Sequence, residues 1–188
     1  MFSKEVLISE KGLTFEKIIS TEGKEIEQGL FLILSHVDKV PPHISLMHNS
    51  AIYSLAYNGK KENYPLKKWW QYSERKKIPS LFIEIQLNNS PENKIEEIVS
   101  KTYSNYEKLI VGEISCLSPI KKVFCQLNFL KNDWEISNIF DFLPFLSHQN
   151  LIKDFYVNDY VVQKNGSFTI KKYHQKDIDK RILTLQNK

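Results

Sequence analysis

Gly29-Leu-Phe-Leu-Ile-Leu34, Pro41-Pro-His-Ile-Ser-Leu-Met47 and Ala51-Ile-Tyr-Ser-Leu-Ala-Tyr57 are three apolar runs in close succession, and their reading decides the fold class. The first follows a glycine and is continuous, as expected of a buried strand. Val40-Pro-Pro42 breaks the chain before the second run. The second and third runs are separated only by His48-Asn-Ser50, a hairpin signal. Asn58-Gly59 marks the next turn.

Downstream, Pro65-Leu-Lys-Lys-Trp-Trp-Gln-Tyr predicts a short helix opened by proline in its first turn. Leu66, Trp69 and Trp70 share one face of it, with Lys67 and Lys68 pointing away. Ser80 to Leu87 reads as a strand. Ser90-Pro91 opens a helix, serine as N-cap and proline at N1, with apolar positions Ile95, Ile98, Val99 and Tyr103. A looser stretch, Ser104 to Ser115, leads into a helix from about Leu117 to Leu130. Phe140 to Leu146 is an apolar segment interrupted by Pro144. Leu151 to Val162 and Phe168 to Tyr173 flank Asn165-Gly166, a second hairpin signal. The tail from Asp177 to Lys188 can form an amphipathic helix. Upstream, Val6 to Ile8 and Leu13 to Ile19 read as one or two strands. The alternation of strands and helices predicts an α+β domain around an antiparallel sheet.

At 188 residues the chain is expected to be one domain, and 41% hydrophobic with 12% aromatic content supplies a sizeable core and excludes a disordered chain. The net charge of +4 comes with scattered lysines, so it reads as a solvated surface and not as the clustered basic face of a nucleic-acid binder. No apolar run approaches the roughly 18 residues of a membrane span. The residues from Met1 to Lys11 lack the apolar core of a signal peptide, so the expected compartment is the cytoplasm, with reduced thiols. Two cysteines, Cys116 and Cys125, without a paired His-x-x-x-His do not make a zinc site, and neither a metal nor a cofactor is expected.

Chemistry concentrates on Cys116 and His43. Cys116 sits in Gly112-Glu-Ile-Ser-Cys-Leu-Ser-Pro119, where a loop becomes a helix. A helix start favours a thiolate through backbone N–H groups and the helix dipole. His43 lies on the second apolar strand, where an imidazole could serve as base. Singly, each is more often structural: a small buried thiol, a satisfied core histidine. Cys125, among Val123, Phe124 and Leu127, reads as a packed core thiol.

The order of these pieces resembles a family. Gly29-Leu-Phe-Leu-Ile, Pro42-His-Ile-Ser-Leu, Tyr53 to Gly59, Pro65-Leu-Lys-Lys-Trp69, Phe82-Ile-Glu-Ile, Ile95 to Tyr106, Ser115-Cys-Leu-Ser and Ile139-Phe-Asp-Phe-Leu-Pro follow one another as in the circularly permuted, papain-like cysteine hydrolases of the NlpC-type superfamily, most closely the YiiX-like branch. The resemblance covers about residues 29–146, with 1–28 and 147–188 as extensions of the same domain. It implies an antiparallel sheet or half-barrel packed against helices. It also implies Cys116 as nucleophile, His43 as general base and the backbone N–H of Cys116 as an oxyanion donor. The substrate it implies carries an amide, ester or thioester acyl group in a peptide-like, cell-wall or lipid molecule. The chain departs from the pattern at Leu30, in place of an acidic residue, at Ser45, and at Leu117-Ser118 after the cysteine. The residue that orients the histidine is expected near Ser54 to Ala56, where no carboxylate occurs; Ser54 is the one polar side chain there, and His48 is a more distant substitute. The alternative is a catalytically inactive domain of the same fold that binds a peptide or protein partner through aromatic surface such as Trp69, Trp70 and Trp134.

Overall fold

The computed structural model describes residues 5–87, 92–132, 136–161 and 166–186. Residues Val6–Ser9 (β1) and Gly12–Phe15 (β2) form the opening hairpin. Ile19–Ser20 (β3), a 3-10 turn at Lys24–Ile26 and Leu30–Ser35 (β4) follow. His43–His48 (β5), Ala51–Ala56 (β6) and Gly59–Pro65 (β7) run as a meander into helix Leu66–Lys76 (α1). Then come Ser80–Ile85 (β8), Glu92–Ser104 (α2), Ser118–Gln126 (α3), Ile139–His148 (α4), Ile152–Val157 (β9), Phe168–Lys171 (β10) and Gln175–Gln186 (α5).

A seven-stranded sheet in the order β3-β9-β8-β4-β5-β6-β7 carries the domain, beside a three-stranded sheet β1-β2-β10. The fold is α+β. The large sheet is mixed and not wholly antiparallel, because β3 pairs in parallel with β9, Ile19 opposite Tyr156. The central strand β4 is buried at every position. It pairs with β5 with Leu30 opposite His48 and Ser35 opposite His43, and the register of β5 on β6, His48 opposite Ala51, is set by the two-residue turn Asn49–Ser50, both at positive φ (45° and 64°). Such a turn matches the right-handed twist of the strands it joins. The turn is tied down by Asn49, whose Oδ1 accepts from the Gly29 N–H at 2.9 Å, and by Ser50 Oγ, which donates to the Glu27 carbonyl at 2.8 Å.

Alternation gives the large sheet two apolar faces. On one, Phe31, Ile33, Met47, Ile52 and Phe82 meet Leu66, Trp69 and Trp70 of α1. Trp70 stacks on Phe82 at 5.7 Å and Trp69 meets it edge-on at 5.5 Å. On the other, Leu32, Leu34, Ile44, Leu46, Tyr53 and Ile83 join the buried side chains of α2, α3 and α4. The small sheet closes this core, with Phe15 against Phe155 at 5.3 Å. Several sequence expectations are corrected here. Pro65 is the N-cap of α1, not a residue inside its first turn. The segment with Pro144 is a helix, α4, whose Asn138–Asp141 capping box supplies a strong start. β9 and β10 do not pair: β9 joins the large sheet and β10 the small one, so the 151–173 stretch is not a hairpin. Asn165 of the predicted Asn165-Gly166 turn, the predicted N-cap of α2 (Ser90-Pro91) and Trp134 lie outside the described residues.

Candidate active site

The meander positions the site. β5 pairs with β4 along its whole length, from His43 to His48. Its pairing with β6 stops at Leu46 opposite Tyr53, although β5 begins at His43 and β6 continues to Ala56. The two strands therefore part at their open ends. His43 and Ser54 lie on either side of that parting, on the α1 face, and close it with a hydrogen bond: His43 Nε2 to Ser54 Oγ at 2.8 Å. Ser54 thus stands where an orienting group was expected. His48 lies on the opposite face, five positions along the same strand.

Cys116 comes from the other side. It precedes α3, whose N-cap is Leu117 and whose second residue is Pro119. The loop before the helix is wired by serines: the Ser115 N–H donates to Ser118 Oγ at 3.0 Å, and the Leu117 N–H to Ser115 Oγ at 3.2 Å. α3 packs into the core with Ile44 and Leu46, the face opposite His43. The backbone N–H groups of Ile44, Cys116 and Leu117 act on the sulfur, which places it against β5 at the residue next to His43. Cys116 and His43 line one cavity of about 620 Å³. Among the described residues no hydrogen bond joins the sulfur to the imidazole. Cys125, in α3, is half-buried against the core.

Electrostatics set the resting state. Burial, then the neighbouring His36 and Lys61, push His43 down from the ordinary 6.5 to about 4. Burial raises Cys116 above the usual thiol range, and the three backbone N–H groups only partly offset it. Both shifts favour a neutral thiol and a neutral imidazole near neutral pH, the desolvation of Cys116 acting against the helix start. Two tyrosines not foreseen in the sequence share this environment. Tyr103 is fully buried, and burial and then Cys116 hold its hydroxyl well above the ordinary range. Tyr173 is shifted the same way for the same two reasons. In the sequence Tyr103 shows only as one more apolar position of α2, so helical periodicity conceals its hydroxyl.

The cavity walls are mixed. α1 contributes Trp69 and Tyr72, β6 Ile52 and Ala56, β7 Lys60, Lys61 and Tyr64, and α5 Ile178, Arg181, Ile182 and Leu185. No group of described His, Cys, Asp and Glu side chains is arranged to hold a metal ion. No described helix is long and apolar enough to cross a membrane. Compared with known proteins, the chain matches no family model, no curated protein and no solved structure.

Proposed function

We propose that the protein is a cysteine hydrolase or acyltransferase of papain-like, permuted NlpC type. The observation that carries the reading is that His43, held by Ser54 across the parting of β5 and β6, shares one cavity with Cys116. With Nε2–H donated to Ser54, Nδ1 carries the lone pair. It takes the thiol proton through a water molecule in the shared cavity, since no hydrogen bond joins the two groups, as the sulfur attacks an acyl carbonyl. The resulting imidazolium returns that proton to the leaving group as the carbon–heteroatom bond breaks. Water then hydrolyses the thioester, or another nucleophile accepts the acyl group. Because both groups rest neutral, proton transfer accompanies attack and no ion pair precedes it. The N–H groups beside the sulfur would hold the developing oxyanion. The substrate carries an amide, ester or thioester.

The test is acyl-enzyme capture by intact-mass spectrometry on a panel of nitrophenyl esters and thioesters. Cys116→Ser abolishes the adduct, and His43→Ala slows acylation about a hundredfold or more. An adduct that persists in Cys116→Ser refutes the assignment.

A second reading has its own support. The absence of a hydrogen bond between the sulfur and the ring, with the two neutral resting states, favours a domain of the same fold that has lost catalysis and binds a peptide or protein partner. Failure of every panel member to acylate the protein decides for it.

A further inference from the structure

Among the described residues, the charged side chains that line the cavity are all cationic, Lys39, Lys60, Lys61 and Arg181, with no aspartate or glutamate. Across the whole chain basic and acidic residues are nearly balanced, 26 against 22. The cavity is therefore not a sample of the average surface. Acidic groups do approach from outside the lining. Glu62 pairs with Lys60 at 2.8 Å, and Asp38 acts on His36. Lys60 is further occupied by the carbonyls of Tyr103 (3.5 Å) and Ser104 (3.1 Å), so its charge is already engaged. Among the described residues no carboxylate forms an ion pair with the other three cations. Lys39 donates to His36 Nδ1 at 3.3 Å. Lys61 sits 4.8 Å above the ring of Tyr64. Arg181 reaches in from α5, close enough to act on His36. Below this rim the walls are apolar, built from Ile52, Trp69, Leu109, Ile178 and Ile182.

We propose that the cavity takes an amphipathic anion, with an apolar acyl-type body between α1 and α5 and a carboxylate or phosphate head at the rim of Lys39, Lys61 and Arg181. The inference deepens the acyl-transfer reading and rests on it, since the anion would belong to the substrate of that site. Such apolar walls accommodate a chain of methylenes without specificity, because burying each one is favourable. The rim then selects by charge. Like-charged side chains gathered around one opening repel one another, and an anion among them relieves that repulsion. The volume falls within the few-hundred to thousand Å³ range of small-molecule sites.

The test uses calorimetric titration of Cys116→Ser protein, so that no turnover confuses the heats, with decanoate, decyl phosphate and decanol below their micelle concentrations. Decanoate and decyl phosphate should bind about tenfold or more tightly than decanol, and added salt should erase the difference. Preference between the two anions distinguishes a free carboxylate from a phosphate head. Lys39→Gln, Lys61→Gln and Arg181→Gln combined should remove the preference while leaving decanol binding in place, each cation being worth about a two- to fivefold factor. Retained decanol binding also shows that the variant is folded. Equal affinity for decanol and the anions, no binding of any probe, or a charge preference that survives the triple change overturns the proposal. A separate outcome tells the two readings apart. Anion binding without any acyl-enzyme leaves the ligand assignment standing and removes catalysis. Acyl-enzyme formation on neutral esters without anion preference does the reverse.

Discussion

His43 couples the stability of this fold to pH. Its ring is partly covered, and its pKa falls from 6.5 to about 4 in the folded chain, chiefly by burial. A depressed pKa means that between these values the unfolded chain binds the proton and the folded one does not. Stability therefore rises with pH across that window. The contribution is complete above about pH 6.5 and is lost as pH falls toward 4. At 1.36 kcal/mol per tenfold change in proton affinity the fall corresponds to about 3 kcal/mol. Solvent contact of the partly exposed ring screens this to about 2 kcal/mol. The assay is urea unfolding followed by tryptophan fluorescence, for the native sequence and for His43→Gln, at steps from about pH 7.5 to about pH 4.5. Carboxylates titrate at the acid end in both proteins, so the difference between the two curves isolates His43. That difference should shift by about 2 kcal/mol toward the variant on acidification, or about 4–8 °C in melting temperature for a domain of this size. A difference that stays constant across the window refutes the buried, neutral imidazole.

The same geometry sets three further expectations. Ser54→Ala removes the hydrogen bond between Ser54 and the His43 ring and should cost about 1 kcal/mol in chemical denaturation, with a larger fall in acylation rate than in stability. Because burial raises the Cys116 thiol, its alkylation by iodoacetamide should be slow at neutral pH and should climb steeply above the usual thiol range; fast labelling already at pH 6, followed by mass spectrometry, would show a preformed thiolate. Asn138→Ala breaks the capping box of α4 and should cost about 1 kcal/mol, read from the shift in the urea midpoint, with anion binding unchanged.

What the sequence discloses here follows the strength of local signals. β4, β5 and β6 are legible because each is an apolar run bounded by glycine, proline or an Asn-Ser turn, and His43 and Ser54 lie on those runs, whereas Cys116 stands out through the separate helix-start signal at Ser118-Pro119. β7 was missed because Gly59-Lys-Lys-Glu-Asn-Tyr-Pro65 is an edge strand, with one side facing solvent and charged residues along it. In the sequence α4 reads as an interrupted segment because Pro144 sits within it. Burial of Phe142, Leu143 and Leu146 outweighs the hydrogen bond that proline forgoes. The separation of β9 from β10 into two sheets depends on long-range pairing with β8 and β2, which no local pattern carries. The neutral resting state of the thiol was hidden for a similar reason. The helix start is written in Ser118-Pro119, whereas the burial that overrides it comes from residues distant in the chain. The cationic rim was illegible because Lys39, Lys61 and Arg181 come from a loop, an edge strand and a remote helix.

The wall that α5 contributes gives the cavity a history as well as a shape. Ile178, Arg181, Ile182 and Leu185 are made after every other lining residue, because a ribosome reaches them last. While the preceding strands and helices are already emerging, the trough beside β5 and β6 is still open along one side. His43 and Cys116 can then coexist in a half-built chain without the α5 wall beside them. The α5 side of the pocket is thus the last part of it to be synthesised, and contacts with that wall become available only once the last described helix has docked.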